Sequence, residues 1–468
     1  MSHREIPTVS PNALSGLHQP QRIIAIFAVL SAMSLVVLDA GMVNVALPSM
    51  AQSLNATPAM SILAVTAYQT GLIMALLPSA ALGERFGYRR VFVSGVCVFT
   101  TASMLCAASS SLPWLVAART MQGLGGSAVM ALGVALLRFT VPSGRMGAAI
   151  SWNALTVALS SAASPAIGAF LLSSADWHWL FLVNIPLGAV TLLSSRALPL
   201  AATNARFIDS TSVLLNGVAF GLLVLAAELI VSCTLASALF LALSTYAFIA
   251  LVRREKPKAA PMIPLDLLHI PSFRLSVTAS ICCFAGQTAG LVSLPFYLQH
   301  DLGQSPLMVG LYMTTWPLAV ALTALAAGYL SDHVNSAWLS STGGICLAVG
   351  LAGSALWALH GNPRPLIPLT ILCGIGFGLF QTPNNRNLFL SAPLERSGAA
   401  GGMQGTARLS GQLAGAVLLT LLFSVASVRL APRFGLGVGA LLALAAAISS
   451  FLRASPILPN HSRERIRT

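Results

Sequence analysis

Apolar residues in this chain come in long blocks of 18 to 27, and that grouping leaves few folds open. At about 1.5 Å per residue such a block crosses the roughly 30 Å hydrocarbon core of a bilayer as a helix. Alternating barrel strands would read as segments of about ten residues, so a helical membrane protein is expected. Fourteen blocks are read, near 23–47, 60–82, 91–110, 113–137, 147–172, 178–198, 211–230, 233–252, 275–298, 306–329, 338–358, 366–388, 398–424 and 434–453. The seventh and eighth are separated only by the short break from Glu228 to Thr234. Charge is scarce in keeping with this. Only 8% of the 468 residues are charged, with 56% apolar, whereas a soluble domain carries about 25% charged residues. Most of the surface must therefore face lipid.

The net charge of +13 does not mark a nucleic-acid binder, because the basic residues are split among short connections. With an even number of spans both ends lie on one side. Taking that side as cytoplasmic, twenty of the 25 basic residues fall in the tails or that side's connections, Arg138, Arg145, Arg253 and Arg254 among them. Three (Arg364, Arg429, Arg433) fall opposite and two (Arg119, Arg408) within spans. This asymmetry predicts a bacterial inner-membrane protein with both termini cytoplasmic. The first block is too long and too poorly flanked for a cleaved signal peptide. Trp114, Trp177, Trp179, Trp338 and Trp357 sit at predicted span ends, where an interfacial belt belongs. The seven cysteines show no ligand spacing or disulfide framework and read as packing residues. The eight histidines lie in tails or at span ends, so a metal site or histidine relay is not expected.

The only lysines are Lys256 and Lys258, and no Gly-x-x-x-x-Gly-Lys loop exists to cradle nucleotide phosphates. The longest connection, about 253–274, holds Pro257, Pro261, Pro264 and Pro271 and reads as a linker. Neither an enzyme domain nor ATP hydrolysis fits here. Transport would be driven by an ion gradient or passive flow, with no cofactor.

Three motifs carry more specific information. The loop after the second span reads Gly83-Glu84-Arg85-Phe86-Gly87-Tyr88-Arg89-Arg90, in which glycines allow a tight turn and an acid flanked by arginines can latch helix ends. The fourth span contains Arg119-Thr120-Met121-Gln122-Gly123-Leu124-Gly125-Gly126, and the first contains Leu38-Asp39-Ala40-Gly41. Together with Trp177-His178-Trp179-Leu180-Phe181-Leu182-Val183-Asn184-Ile185-Pro186 these resemble the major facilitator superfamily, specifically its fourteen-span drug:proton antiporter branch. The match departs at Ala80, where the loop motif usually opens with Gly, and at Glu84 for the commoner Asp. The antiporter motif of the fifth span, usually Gly-Pro-x-x-Gly-Gly, stands as Ser164-Pro165-Ala166-Ile167-Gly168-Ala169. Small residues are kept, so close helix packing survives. An internal repeat agrees with the resemblance: Gly328-Tyr329-Leu330-Ser331-Asp332 echoes the loop motif, with Asp332 placed 248 residues after Glu84.

The resemblance implies an all-α membrane protein with the major-facilitator fold, two six-helix bundles plus two additional spans. The expected division is a tail 1–22, a bundle 23–198, two inserted spans 199–252, a linker 253–274, a bundle 275–453 and a basic tail 454–468. It also implies a proton-coupled antiporter that exports hydrophobic or cationic drugs by alternating access, working as a monomer. An exporter of one native metabolite and a membrane sensor that does not transport are the alternatives.

Asp39 is the most informative residue. About fifteen residues into its span, it would stand roughly 22 Å from the starting surface. A charge at such depth costs about 2.5–3.5 kcal/mol, so it is either a structural ion pair or cap, or a carboxylate whose protonation is coupled to transport. Arg119, about seven residues and roughly 10 Å into the fourth span, matches its depth from the other side. In the resembling family this arginine is implicated in proton coupling. Glu84, Arg85, Gly87, Arg89, Arg90 and Asp332 are candidates for a conformational latch. Ser164, Pro165 and Gly168 mark a close-packed face that serves either structure or conformational change. Trp152, Gln287, Tyr297, Tyr312, Trp316 and Arg408 are candidate cavity residues, and Arg408 has no acid at its depth in the second half.

Overall fold

Inside a bilayer no water serves a free N–H or C=O, so each apolar block must close its own helical hydrogen bonds. A computed structural model describes residues 17–142, 145–200, 209–229, 233–256, 265–356, 362–393, 396–427 and 429–453. Among them fourteen helical segments are long and apolar enough to cross a membrane. The first five are α1 (Gln21–Ser53), α2 (Pro58–Phe86), α3 (Tyr88–Ala107), α4 (Leu112–Thr140) and α5 (Met146–Ser174). The sixth is made of α6 (Trp179–Leu182) and α7 (Asn184–Ser194), followed by α8 (Ser210–Leu229) and α9 (Thr234–Glu255). The last six are α10 (Pro271–Phe296), α11 (Pro306–His333), α12 (Ser336–Leu356), α13 (Leu366–Ser391), α14 (Ser397–Val425) and α15 (Ala431–Leu452). Helices α1–α7 form one bundle and α10–α15 a second, which meet along α5–α11, α2–α14 and α1–α10. The pair α8–α9 rests through α8 on α2 and α14. Residues 257–264 of the linker lie outside the described residues, as do residues 1–16 of the first tail, the tail 454–468, Trp357 and the Glu228 side chain.

Three expectations need correction. The first span does not end near 47; α1 carries Pro48 inside it and continues to Ser53. A hydropathy reading stops where polar residues begin, but backbone hydrogen bonding does not, and transmembrane helices tolerate proline. Asp39 therefore sits about 27 Å from the start of α1 and about 21 Å from its end, closer to mid-helix than the sequence suggests. The sixth span is not one helix. It breaks at Val183, where Pro186 lacks the N–H that would bond the Leu182 carbonyl. Trp177 is no interfacial belt residue, being buried with its ring stacked on His178 at 3.8 Å. Trp114, Trp179 and Trp338 are exposed.

The internal repeat runs further than the loop motif. Thr57 caps α2 by accepting from the Met60 N–H at 3.3 Å, and Ser305 caps α11 by accepting from Met308 at 3.4 Å. Each cap precedes a proline at the first helical position and follows a left-handed residue, Asn55 (φ 49°) or Gly303 (φ 60°). These positions are 248 residues apart, the spacing of Glu84 and Asp332. Asparagine and glycine are the residues that enter the left-handed region at least cost.

The start of α1 meets the ends of α4 and of the sixth span, where Leu17 N–H donates to Thr140 O at 3.0 Å and Gln21 Nε2 to Ala197 O at 3.1 Å. Arg85, Arg89, Arg138 and Arg145 belong to this basic end. At the far end the bundles close on one another: Met42 and Leu47 of α1 share a buried cluster with Val292 and Phe296 of α10 and Phe423 of α14. Gly310 of α11 lies so near α5 that a side chain there would overlap Ala169 and the Pro165 carbonyl. Gly310→Phe should therefore wedge the far end open. A single cysteine at Thr288, in an otherwise cysteine-free protein, should then react faster with an impermeant maleimide applied from the far side. Equal rates would show that Gly310 does not seal this end.

Candidate functional site

Four helices and the broken sixth span converge on one carboxylate. Asp39 of α1 is fully buried, and its Oδ2 accepts from Arg119 Nη1 of α4 at 2.5 Å. Its Oδ1 accepts from Gln122 Nε2 at 2.9 Å and from Asn184 Nδ2 at 2.7 Å. Arg119 is equally enclosed: Nε donates to the Ala64 carbonyl of α2 at 3.0 Å, and Nη1 also reaches Gln122 Oε1 at 2.5 Å. The guanidinium carbon stands 4.3 Å from the Tyr68 ring centroid and 5.6 Å from that of Phe181, close enough for cation–π attraction. Gln122 completes the set by donating to Ser103 Oγ of α3 at 2.8 Å. Every charge here meets an opposite charge or an amide, the condition under which ions are tolerated at depth.

Local sequence explains the convergence. Arg119 and Gln122 are three residues apart and share a face of α4. Gly71 and Gly123 let α2 and α4 approach so closely that a side chain at Gly123 would strike the Tyr68 carbonyl, which brings Ala64 and Tyr68 against Arg119. Asn184 opens α7 just past the break caused by Pro186, and this aims its side chain inward. Gln122, Asn184, Ser103 and Tyr68 were not singled out from sequence. The signal for two of them was present, since both amides lie inside the quoted motifs.

The remaining candidates separate by position. Gly87 (φ 97°) makes the turn from α2 to α3, Arg89 Nη1 donates to the Leu198 carbonyl at 3.2 Å, and Arg85 lies 5.2 Å from the Phe86 ring. Glu84 is half-buried and Arg90 exposed beside them. Asp332 pairs with Arg386 of α13 at 2.9 Å, a partner overlooked in the sequence; it follows the amide run Asn384-Asn385. In α5, Ser164 packs on Gly41, Gly168 on the Met42 backbone, and Pro165 on Gly310. The motif thus touches both its own bundle and the other one.

Between the bundles lies a cavity of about 540 Å³. Arg119 and Tyr68 line it, so the buried pair adjoins it directly; Ser164 and Pro165 line it too. Its lining extends to Ala154, Ala324 and Asn385, in the basic-end halves of their helices. Of the expected cavity residues, Gln287, Trp316 and Arg408 are in the wall. Trp152 is not: it is 60% exposed on the outer face of α5. Tyr297 and Tyr312 are not either, being buried in the packed core of the second bundle, with Arg433 6.0 Å from the Tyr297 ring. Lipid and protein core are both apolar, so a hydrophobic helix does not declare which face is which. No cluster of metal-ligating side chains occurs among the described residues.

The family model of the Major Facilitator Superfamily matches residues 29–268 and 275–467. The chain belongs to this superfamily. It is a transporter rather than an enzyme, and facilitators need no cofactor to bind and move small molecules. This facilitator is 44% identical to the uncharacterized transporter YebQ of Escherichia coli (strain K12), over 87% of its own length and 91% of that protein's. It is 31% identical to the drug efflux pump JefA of Mycobacterium tuberculosis over 86% and 80% of the two chains, and 29% identical to the riboflavin transporter RibZ of Clostridioides difficile over 79% and 81%. The crystal structure of a D-xylose-proton symporter superposes with a TM-score of 0.66 at 14% identity, covering 92% of this chain and 97% of that one. These matches leave a non-transporting sensor without support.

Removing one partner from a buried pair strands the other. Arg119→Met should therefore destabilise the purified facilitator by about 3–5 kcal/mol. Asp39→Leu combined with Arg119→Met should recover most of that loss, read as thermal unfolding in detergent. A double variant no more stable than Arg119→Met would show that the pair is not what holds these helices.

Proposed function

We propose that this facilitator is a proton-coupled antiporter that exports small amphipathic compounds across a bacterial inner membrane by alternating access. The observation that carries the reading is the Asp39–Arg119 pair, buried beside the middle of α1 yet adjoining the cavity through Arg119 and Tyr68. A carboxylate that holds a cation in one conformer can release it by taking a proton in another, which gives a chemical link between proton supply and helix rearrangement. The twenty-to-three bias of basic residues makes the basic end cytoplasmic. On that assignment the present conformer faces inward, with its far end closed. Asp39 takes a proton from outside when the far end opens, and gives it up on the inside.

The small residues of the fifth-span motif, packed on both α1 and α11, suit the sliding contact that such a cycle requires. Asp332–Arg386 and the turn at Gly87 hold the basic ends of helices within their own bundles and would bias the inner gate. The efflux function in the names of relatives such as the drug efflux pump supports the outward direction. The relative named a riboflavin transporter favours a second reading, one native metabolite as cargo. A growth-inhibition panel in a pump-deficient host separates the two by showing many protected compounds or few.

With a compound found in that panel, Asp39→Asn should abolish substrate-dependent proton movement in everted vesicles while membrane insertion stays intact. Unchanged coupling in Asp39→Asn would sink the assignment.

A further inference from the structure

The cavity wall holds two charged side chains among the described residues, both arginines, and neither Asp nor Glu. Arg119 is neutralised by Asp39. Arg408 is not neutralised. It sits half-buried near the middle of α14, where Nη2 meets only the Met130 sulfur at 3.9 Å and the buried Nε has no protein partner. A guanidinium carries five N–H donors, and a thioether is a weak acceptor. Burying a charge on these terms is costly unless something supplies the counter-charge. Residues of the same wall carry further orphaned polar atoms: Trp316 Nε1 is a buried donor without a partner, and Asn44 Oδ1 and Gln69 Oε1 are buried acceptors without one. Gln412, one turn from Arg408, shares its face and also lines the cavity.

We propose that the cavity binds an aromatic organic acid whose anionic group is held by Arg408. The proposal rests on the transport reading and names its substrate class. A planar carboxylate accepts two parallel N–H bonds from a guanidinium, the geometry that makes such pairs strong and directional. Trp316 supplies aromatic wall, as do Phe284 and Phe377, whose ring centroids are 5.2 Å apart. A cavity of about 540 Å³ lies within the roughly 300–1,000 Å³ of drug-sized sites. A permanent cation finds aromatic surface here but no carboxylate, and it would sit beside an uncompensated positive charge. Selection therefore runs against cationic compounds of the same shape.

The test uses three probes on one ring system, 2-naphthoate, its methyl ester and 2-naphthyltrimethylammonium, measured by equilibrium dialysis against the full chain in lipid nanodiscs, with empty nanodiscs subtracted. The carboxylate should bind at least about tenfold tighter than either relative. Arg408→Gln should erase that preference, and Arg408→Lys, which keeps the charge but loses the fork, should keep part of it. Thermal unfolding checks that each variant is folded, and Arg408→Lys provides the comparison if Arg408→Gln is not. No measurable binding of the carboxylate, no preference for it, or a preference that survives Arg408→Gln overturns the proposal. Proteoliposomes separate its failure from that of the transport reading. A carboxylate bound through Arg408 but never moved overturns transport alone. Proton-coupled efflux of the ammonium probe, unchanged in Arg408→Gln, overturns the acid assignment alone.

Discussion

Two opposite charges held 2.5 Å apart in the middle of an apolar bundle set the terms for what surrounds them. Neither Asp39 nor Arg119 can be left alone at that depth, so the helices that carry them must stay adjacent. Gln122, Asn184, Ser103 and the Ala64 carbonyl extend the requirement to α2, α3 and the sixth span. Attraction in a low-dielectric interior is strong, but so is the cost of taking both ions out of water. The pair is therefore a poor choice for stability alone, since well-packed apolar residues would do as well. In the proposed cycle its worth lies in being a contact that a single proton can alter.

The packing around it follows a different rule. Helices in lipid gain little from hiding apolar surface, so they associate by close contact between small residues. Gly71 and Gly123 bring α2 to α4, while Gly310 brings the second bundle to the first. The first contact fixes the charge site within one bundle. The second lies between bundles, at the closed far end. Close support for the ion pair and closure of the far end thus come from the same kind of residue in different places.

Much of this was legible in the sequence, and the limits have physical causes. The span count follows from block length because a bilayer permits little else. Asp39 and Arg119 stood out because intramembrane charge is expensive. Their pairing did not follow from the sequence, since depth does not say which helices touch; α1 meets α4 where Gly133 faces Val29 and Met33. Gln122 and Asn184 were harder to see because uncharged amides are cheaper to bury and attract less notice. Trp316 and Trp152 looked alike as cavity candidates, yet one lines the cavity and the other faces outward. Helices that are apolar all round carry no amphipathic stripe from which to tell them apart. The kink at Val183 was readable in principle from Pro186.

The two halves also share a helix crossing. Gly95 meets Gly125 where α3 crosses α4, and Gly343 meets Gly376 in the same way where α12 crosses α13. Gly343 follows Gly95 by the same 248 residues, so the crossing has been duplicated along with the caps. Six residues before Gly125 stands Arg119; six before Gly376 stands Thr370. There the hydroxyl of Thr370 shares a 2.6 Å hydrogen bond with Thr315, and no charge is involved. Twin scaffolds have thus come to hold unlike centres, one ionic and one neutral. Only the first holds charged side chains, so the two halves of the molecule, alike in these caps and this crossing, are not interchangeable in their chemistry.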